Sequence, residues 1–135
     1  MRSRYGVLTL ATSLILALVA CWALAQTTTQ PPDLKARFQR IDKNGDGRID
    51  REEYHRAAVD SFYFRDKDKK GYLTVEDLKE ASPEAFKAAN RKSDSRLSLQ
   101  EYVNALFRDF EVADLDKDGT LTYQELETYV SRSRQ

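Results

Sequence analysis

The chain has 135 residues, with 22 basic and 22 acidic side chains, one cysteine (Cys21) and one histidine (His55). The balanced charge excludes the basic excess that drives nucleic-acid binding. A single cysteine excludes an intrachain disulfide and cysteine-rich metal clusters, and a single histidine makes a Ser-His-Asp or Cys-His site improbable.

Taken from the N-terminus, Arg2 and Arg4 precede an uncharged, Leu/Ala/Val-rich run from about Val7 to Leu24, which ends in Ala23-Leu24-Ala25. A basic start, an apolar middle and small residues before a cleavage point predict a helical secretory signal peptide over residues 1–25. Leu18-Val19-Ala20-Cys21 also resembles a lipobox, with Cys21 as the lipidated residue. A third alternative is an uncleaved anchor, because the run is near the minimum length for spanning. All three place the rest of the chain outside the cytoplasmic membrane, either periplasmic or secreted or tethered as a lipoprotein. Any contact with a membrane is then through the N-terminal segment alone. Residues 26–33 are a linker, in which Pro31-Pro32 favours extended backbone. Residues 34–131 form the remaining domain.

That domain repeats every 24 residues. Asp42, Asp66, Asn90 and Asp114 start four twelve-residue segments, 42–53, 66–77, 90–101 and 114–125. Each start follows a phenylalanine by four (Phe38, Phe62, Phe86, Phe110). Each segment carries an aliphatic residue at its eighth position (Ile49, Leu73, Leu97, Leu121) and an acid at its twelfth (Glu53, Asp77, Glu101, Glu125). Such regular self-similarity marks a repeated supersecondary unit.

The first segment alternates oxygen-bearing side chains as a hard divalent cation requires. Asp42, Asn44 and Asp46 lie at positions one, three and five, Arg48 offers its backbone carbonyl, Asp50 acts directly or through water, and Glu53 closes with two oxygens. Gly47 sits where the backbone must turn with positive φ. The last segment matches with Asp114, Asp116, Asp118, Gly119, Thr120 by its carbonyl, Thr122 through water, and Glu125. Both segments resemble the EF-hand calcium loop. The second segment supplies Asp66, Asp68, Tyr72 by its carbonyl, and Asp77, a weaker set. Lys70 puts an ammonium where an oxygen belongs, and Asp77 is one methylene shorter than glutamate. The third begins with a neutral amide, has Lys92 at position three and lacks the turn glycine, so a structural, metal-free hand is expected.

Between the loops, Tyr54, Ala58 and Phe62 fall on one helical face, and Tyr102, Leu106 and Phe110 repeat that stripe. Neither stretch holds glycine or proline, so each is expected to be one helix leaving one loop and entering the next. Ser82-Pro83 is expected to cap a new short helix between hands two and three. The stripes are expected to form the core, and His55 to lie on the surface. The resulting expectation is an all-α fold of four helix-loop-helix repeats with short β-bridges between loops; which loops pair is left open. The resemblance covers residues 34–130 and extends to bacterial exported proteins with closely spaced EF-hands. It implies calcium ions as ligands and little more; the loop residues themselves give two sites and a possible third, and no nucleophile–base pair, phosphate loop or open transition-metal site in the sequence points to an enzyme. It is compatible with a sensor, a buffer or a calcium-stabilised adaptor, with a protein partner unspecified. The sole methionine is Met1, so the Met-rich surface of promiscuous sensors is absent.

Overall fold

The computed structural model describes residues 33–79 and 81–133. The expected signal peptide, Cys21 and most of the expected linker lie outside these residues. Five α-helices dominate: α1 Leu34–Ile41, α2 Arg51–Arg65, α3 Pro83–Ala89, α4 Leu99–Ala113 and α5 Tyr123–Ser133. Four two-residue strands interrupt them: β1 Arg48–Ile49, β2 Tyr72–Leu73, β3 Leu97–Ser98 and β4 Leu121–Thr122. The all-α architecture with short β-bridges is as expected.

Helices α2 and α4 set the frame. Each is an unbroken 15-residue helix, about 22 Å long at 1.5 Å per residue. Loops one and two, and likewise loops three and four, therefore lie at opposite ends of a rod and cannot pair with each other. The two rods pack antiparallel. Tyr54 at the start of α2 meets Phe110 near the end of α4 at 4.9 Å between ring centroids, and its hydroxyl donates to the Leu106 carbonyl at 3.0 Å. At the other end Phe62 meets Tyr102 at 5.8 Å, with the Ser61 and Tyr102 hydroxyls 2.9 Å apart. The apolar stripes face each other and are fully buried: Tyr54, Ala58, Phe62, Tyr102, Leu106 and Phe110 are each at most 2% exposed. These stripes are core, as their periodicity implies. His55 is exposed, its ring tilted by 30° against Phe107 at 6.2 Å.

Antiparallel rods decide which loops meet. Strand β1 of loop one pairs with β4 of loop four, in the register Arg48↔Thr122 and Ile49↔Leu121. Strand β2 of loop two pairs with β3 of loop three, in the register Tyr72↔Ser98 and Leu73↔Leu97. The pairing is nested, first with last and second with third. The eighth-position aliphatics Ile49, Leu73, Leu97 and Leu121 are all buried at these bridges. The reversal between loops two and three is a short 3₁₀ turn, Val75–Leu78, followed by α3. Ser82 caps α3 by accepting from the Ala85 N–H at 3.1 Å, with Pro83 in the first turn where its missing N–H leaves no gap. Helix α1 packs on α2 and α5 beside loop one, with Phe38 edge-on to Tyr123 at 5.9 Å.

The spaced phenylalanines have a backbone reason too. The carbonyls of Phe38, Phe62, Phe86 and Phe110 accept from the N–H groups of Asp42, Asp66, Asn90 and Asp114 at 2.8–2.9 Å. The last turn of each entering helix thus delivers the first residue of each loop.

Candidate metal centre

Each loop ends where a helix begins, and the last acid serves both. In loop one, Asp50 caps α2 by accepting from the Glu53 N–H at 2.8 Å, and Glu53 Oε2 accepts from the Asp50 N–H at 3.2 Å. This capping box leaves Glu53 Oε1 to reach across the loop, where it accepts from Lys43 and Asn44 N–H groups at 2.8 and 3.0 Å. Loop four repeats the clasp. Glu125 Oε2 takes the Thr122 N–H and hydroxyl at 2.9 and 2.8 Å, and Oε1 takes Leu115 and Asp116 N–H groups at 2.9 and 3.4 Å. The loop is thereby held closed around its own mouth. The signal for this cap was in the chain as D/S/T-x-x-E, but sequence reading assigned these residues to ligation alone.

The side chains at positions one, three and five curl inward through hydrogen bonds from later backbone N–H groups. Asp42 accepts from Gly45 and Gly47 at 2.8 and 3.0 Å, Asn44 from Asp46 at 2.8 Å, and Asp46 from Arg48 at 2.8 Å. Gly47 has φ +82° and Gly119 φ +86°, the left-handed region where a Cβ is strained. In loop four, Asp114, Asp116 and Asp118 bring one carboxylate oxygen each to within 4.8 Å of one another. Asp114 is 4% exposed. One of its oxygens accepts from the Gly119 N–H at 3.0 Å, while the other is buried with no hydrogen-bond partner. A buried, unpartnered carboxylate oxygen beside two further carboxylates is unfavourable unless a cation answers it. The donor set fits Ca²⁺: Asp114, Asp116, Asp118, the Thr120 carbonyl, Thr122 through water and Glu125 with both oxygens. Loop one fits through Asp42, Asn44, Asp46, the Arg48 carbonyl, Asp50 and Glu53. All are hard oxygens in the number that Ca²⁺ takes.

One contact escaped sequence reading. The Arg48 guanidinium of loop one ion-pairs with Asp118 of loop four and donates to the Thr120 hydroxyl at 3.0 Å. Its partners lie 70 and 72 residues away, so no local pattern could announce it. Arg48 therefore carries its charge across to the neighbouring loop, while its carbonyl is the one that would serve a cation in its own loop. Its guanidinium is held charged, chiefly by the hydrogen bond to Asp118.

Loop two is arranged differently. Asp77 Oδ2 accepts from Thr74 N–H and hydroxyl at 2.8 and 3.0 Å and from Lys70 Nζ at 3.0 Å. The glutamates of loops one and four clasp the second-position N–H. In loop two that N–H, on Lys67, donates to the Arg65 carbonyl at 2.9 Å instead. In loop three, Glu101 still accepts from Lys92 N–H at 3.3 Å and from the Ser98 N–H and hydroxyl at 3.1 and 2.7 Å. Ser95 takes φ +62° where the other loops place glycine.

These clasps predict acid sensitivity. The Ser98 hydroxyl holds Glu101 below its ordinary range, against an opposing effect of burial. Burial raises Glu125, but the N–H groups of Thr122, Leu115 and Asp116 and the Thr122 hydroxyl outweigh it and lower the carboxyl overall. A carboxyl lowered in the folded state adds stability above its unfolded value and loses it as pH falls through the folded value. Thermal melts in chelator should therefore be nearly flat from pH 8 to 6 and fall steadily below about pH 4.3, the ordinary glutamate value. A melting temperature rising on acidification would contradict this.

A family model described as an EF-hand domain pair matches residues 56–131, more than half of the chain, and one described as an EF hand matches residues 34–59. No curated protein matches the chain. The helix-loop-helix units, the bridged loops and these matches agree, and the chain belongs to the EF-hand calcium-binding family.

Proposed function

We propose that this is an exported, non-enzymatic calcium-binding protein whose loops one and four take Ca²⁺ side by side and lock one end of the fold. The observation that carries the reading is the buried Asp114 carboxylate, which has one oxygen without a hydrogen-bond partner and clusters with Asp116 and Asp118. Export is supported by Arg2 and Arg4, the apolar run and the Ala23-Leu24-Ala25 ending. In that setting calcium is abundant, and extracellular modules work with Kd values of about 10⁻⁴–10⁻³ M. A role in stability rather than groove exposure is favoured because the stripes of α2 and α4 are spent on each other.

The test is a calorimetric Ca²⁺ titration in excess Mg²⁺, with melting followed by circular dichroism. Two bound ions are expected. Free Ca²⁺ at a hundred times Kd should add roughly 2.7 kcal/mol of stability per site, removed by chelator. Absence of binding heat, or melting indifferent to chelator, would sink the proposal. Binding heat without any change in the circular dichroism spectrum would favour a plain buffer.

A further inference from the structure

The two ends of the molecule differ in how their carboxylates are answered. Loops one and four together hold nine acidic and four basic residues; loops two and three hold six of each. The first end carries an excess of negative charge and an unpartnered buried carboxylate oxygen, while the second is neutral as it stands. Within loop two, Lys70 folds back so that its ammonium sits 3.0 Å from Asp77 Oδ2 and 3.6 Å from Asp68 Oδ2. Both Asp66 oxygens are used, accepting from the Lys70 and Gly71 N–H groups at 2.8 and 2.7 Å. The Tyr72 ring adds a face to the same arrangement, with Lys70 Nζ 5.8 Å and the Arg96 guanidinium of loop three 4.9 Å from its centroid. The position-five side chain, which supplies an oxygen in loops one and four, here delivers the cation itself.

We infer that loop two is a hand with a resident cation: the Lys70 ammonium bridges Asp68 and Asp77 in place of a metal ion, so the loop-two and loop-three end is complete without calcium. The donor set of loop two does not fit Ca²⁺ while the lysine is present. An ion there would lose the position-five oxygen, share Asp77 with an ammonium and meet a like charge at contact distance. Calcium then acts at one end only. The bridge Leu73↔Leu97 stands permanently, and the bridge Ile49↔Leu121 is the one that calcium reinforces. This inference rests on the calcium reading of loops one and four.

Three glycine amides separate the two claims. Gly47, Gly71 and Gly119 each donate to the first-position aspartate of their own loop, Asp42, Asp66 and Asp114, at 3.0, 2.7 and 3.0 Å. Each is thus a local probe of ion entry. The ¹⁵N-labelled full chain is titrated with Ca²⁺ and the three amide resonances are followed. The expected result is saturating shifts of Gly47 and Gly119 with Gly71 unmoved over the same range. In Lys70→Asp, Gly71 should shift and saturate as well, with bound calcium rising from two ions to three. Saturation of Gly71 alongside the others in the unaltered chain would overturn the inference, and that arm decides whether or not the variant folds. A folded Lys70→Asp chain whose Gly71 stays silent would overturn the assignment of the lysine as the block. Silence at Gly47 and Gly119 would instead overturn the calcium reading itself, and this inference with it.

Discussion

Glu125→Gln is expected to weaken calcium binding at loop four at least ~100-fold, since loss of a ligand should exceed the 10–100-fold cost of losing a residue that merely supports one. Glutamine keeps one acceptor oxygen and the same length. That oxygen can accept from the Leu115 N–H or from the Thr122 N–H, both of which Glu125 now serves with separate oxygens. The variant therefore folds, at a stability cost of about 0.5–2 kcal/mol for the weakened cap. What it cannot do is present two anionic oxygens to one ion. Glu53→Gln should do the same to loop one, through the Asp50 and Lys43 N–H groups. Calorimetry on each variant, with circular dichroism as the check on folding, measures the effect. Affinity within a few-fold of the unaltered chain would mean that the closing glutamates cap helices and do not ligate.

The two variants also test the bridge between the loops. Ile49 and Leu121 face each other in register, and Arg48 carries its charge onto Asp118. Ion entry at loop four must compete with that guanidinium, while Ca²⁺ at loop one fixes the Arg48 carbonyl and with it the strand. Loss of loop one should therefore also weaken loop four. Independent sites would show each variant losing its own ion and nothing else.

How much of this was legible in the chain follows from how local each feature is. The four loops, the glycine turns and the helical stripes depend on residues within a dozen positions of each other, and all lie where the 24-residue period places them. The start of α3 was legible from Ser82-Pro83 for the same reason. Loop pairing was left open, although the span from Arg51 to Arg65 holds no glycine or proline. A rigid helix of that length already forbids loops one and two from pairing. What the chain withheld was the partner of each rod, because the choice rests on contacts such as Tyr54 with Phe110 and Ser61 with Tyr102. Lys70 was legible as a misplaced charge, but not as a cation bridging two carboxylates, since its rotamer is set by Asp77 and Tyr72 together. By its residues alone loop two is a weaker metal site, and the ammonium beside Asp77 is the contact that argues for a metal-free hand.

The other large effect lies in the core. Phe110→Ala should destabilise the fold by about 3–5 kcal/mol, the range for emptying a buried aromatic site. Phe110 is fully buried, edge-on to Tyr54 at 4.9 Å and tilted against Phe107 at 5.9 Å, with the Arg51 guanidinium 5.6 Å from its centroid. Its neighbours belong to two long helices that cannot bend into the gap, so the cavity stays. A domain of this size has only about 5–15 kcal/mol in total, and the loss should show as a large fall in the urea midpoint. Because Phe110 lies in the last turn of α4 and its carbonyl accepts the Asp114 N–H at 2.9 Å, slack there also loosens the mouth of loop four. Calcium should consequently add less stability to the variant than to the parent chain at the same free concentration, because a loosened site binds more weakly. Tyr54→Phe is the control for polarity without volume. It removes the 3.0 Å hydrogen bond to the Leu106 carbonyl and should cost only about 0.5–1.5 kcal/mol. If Phe110→Ala costs no more than Tyr54→Phe in chelator, the seam between α2 and α4 is not what holds the two ends at their fixed separation, and the nested pairing of loops loses its physical basis.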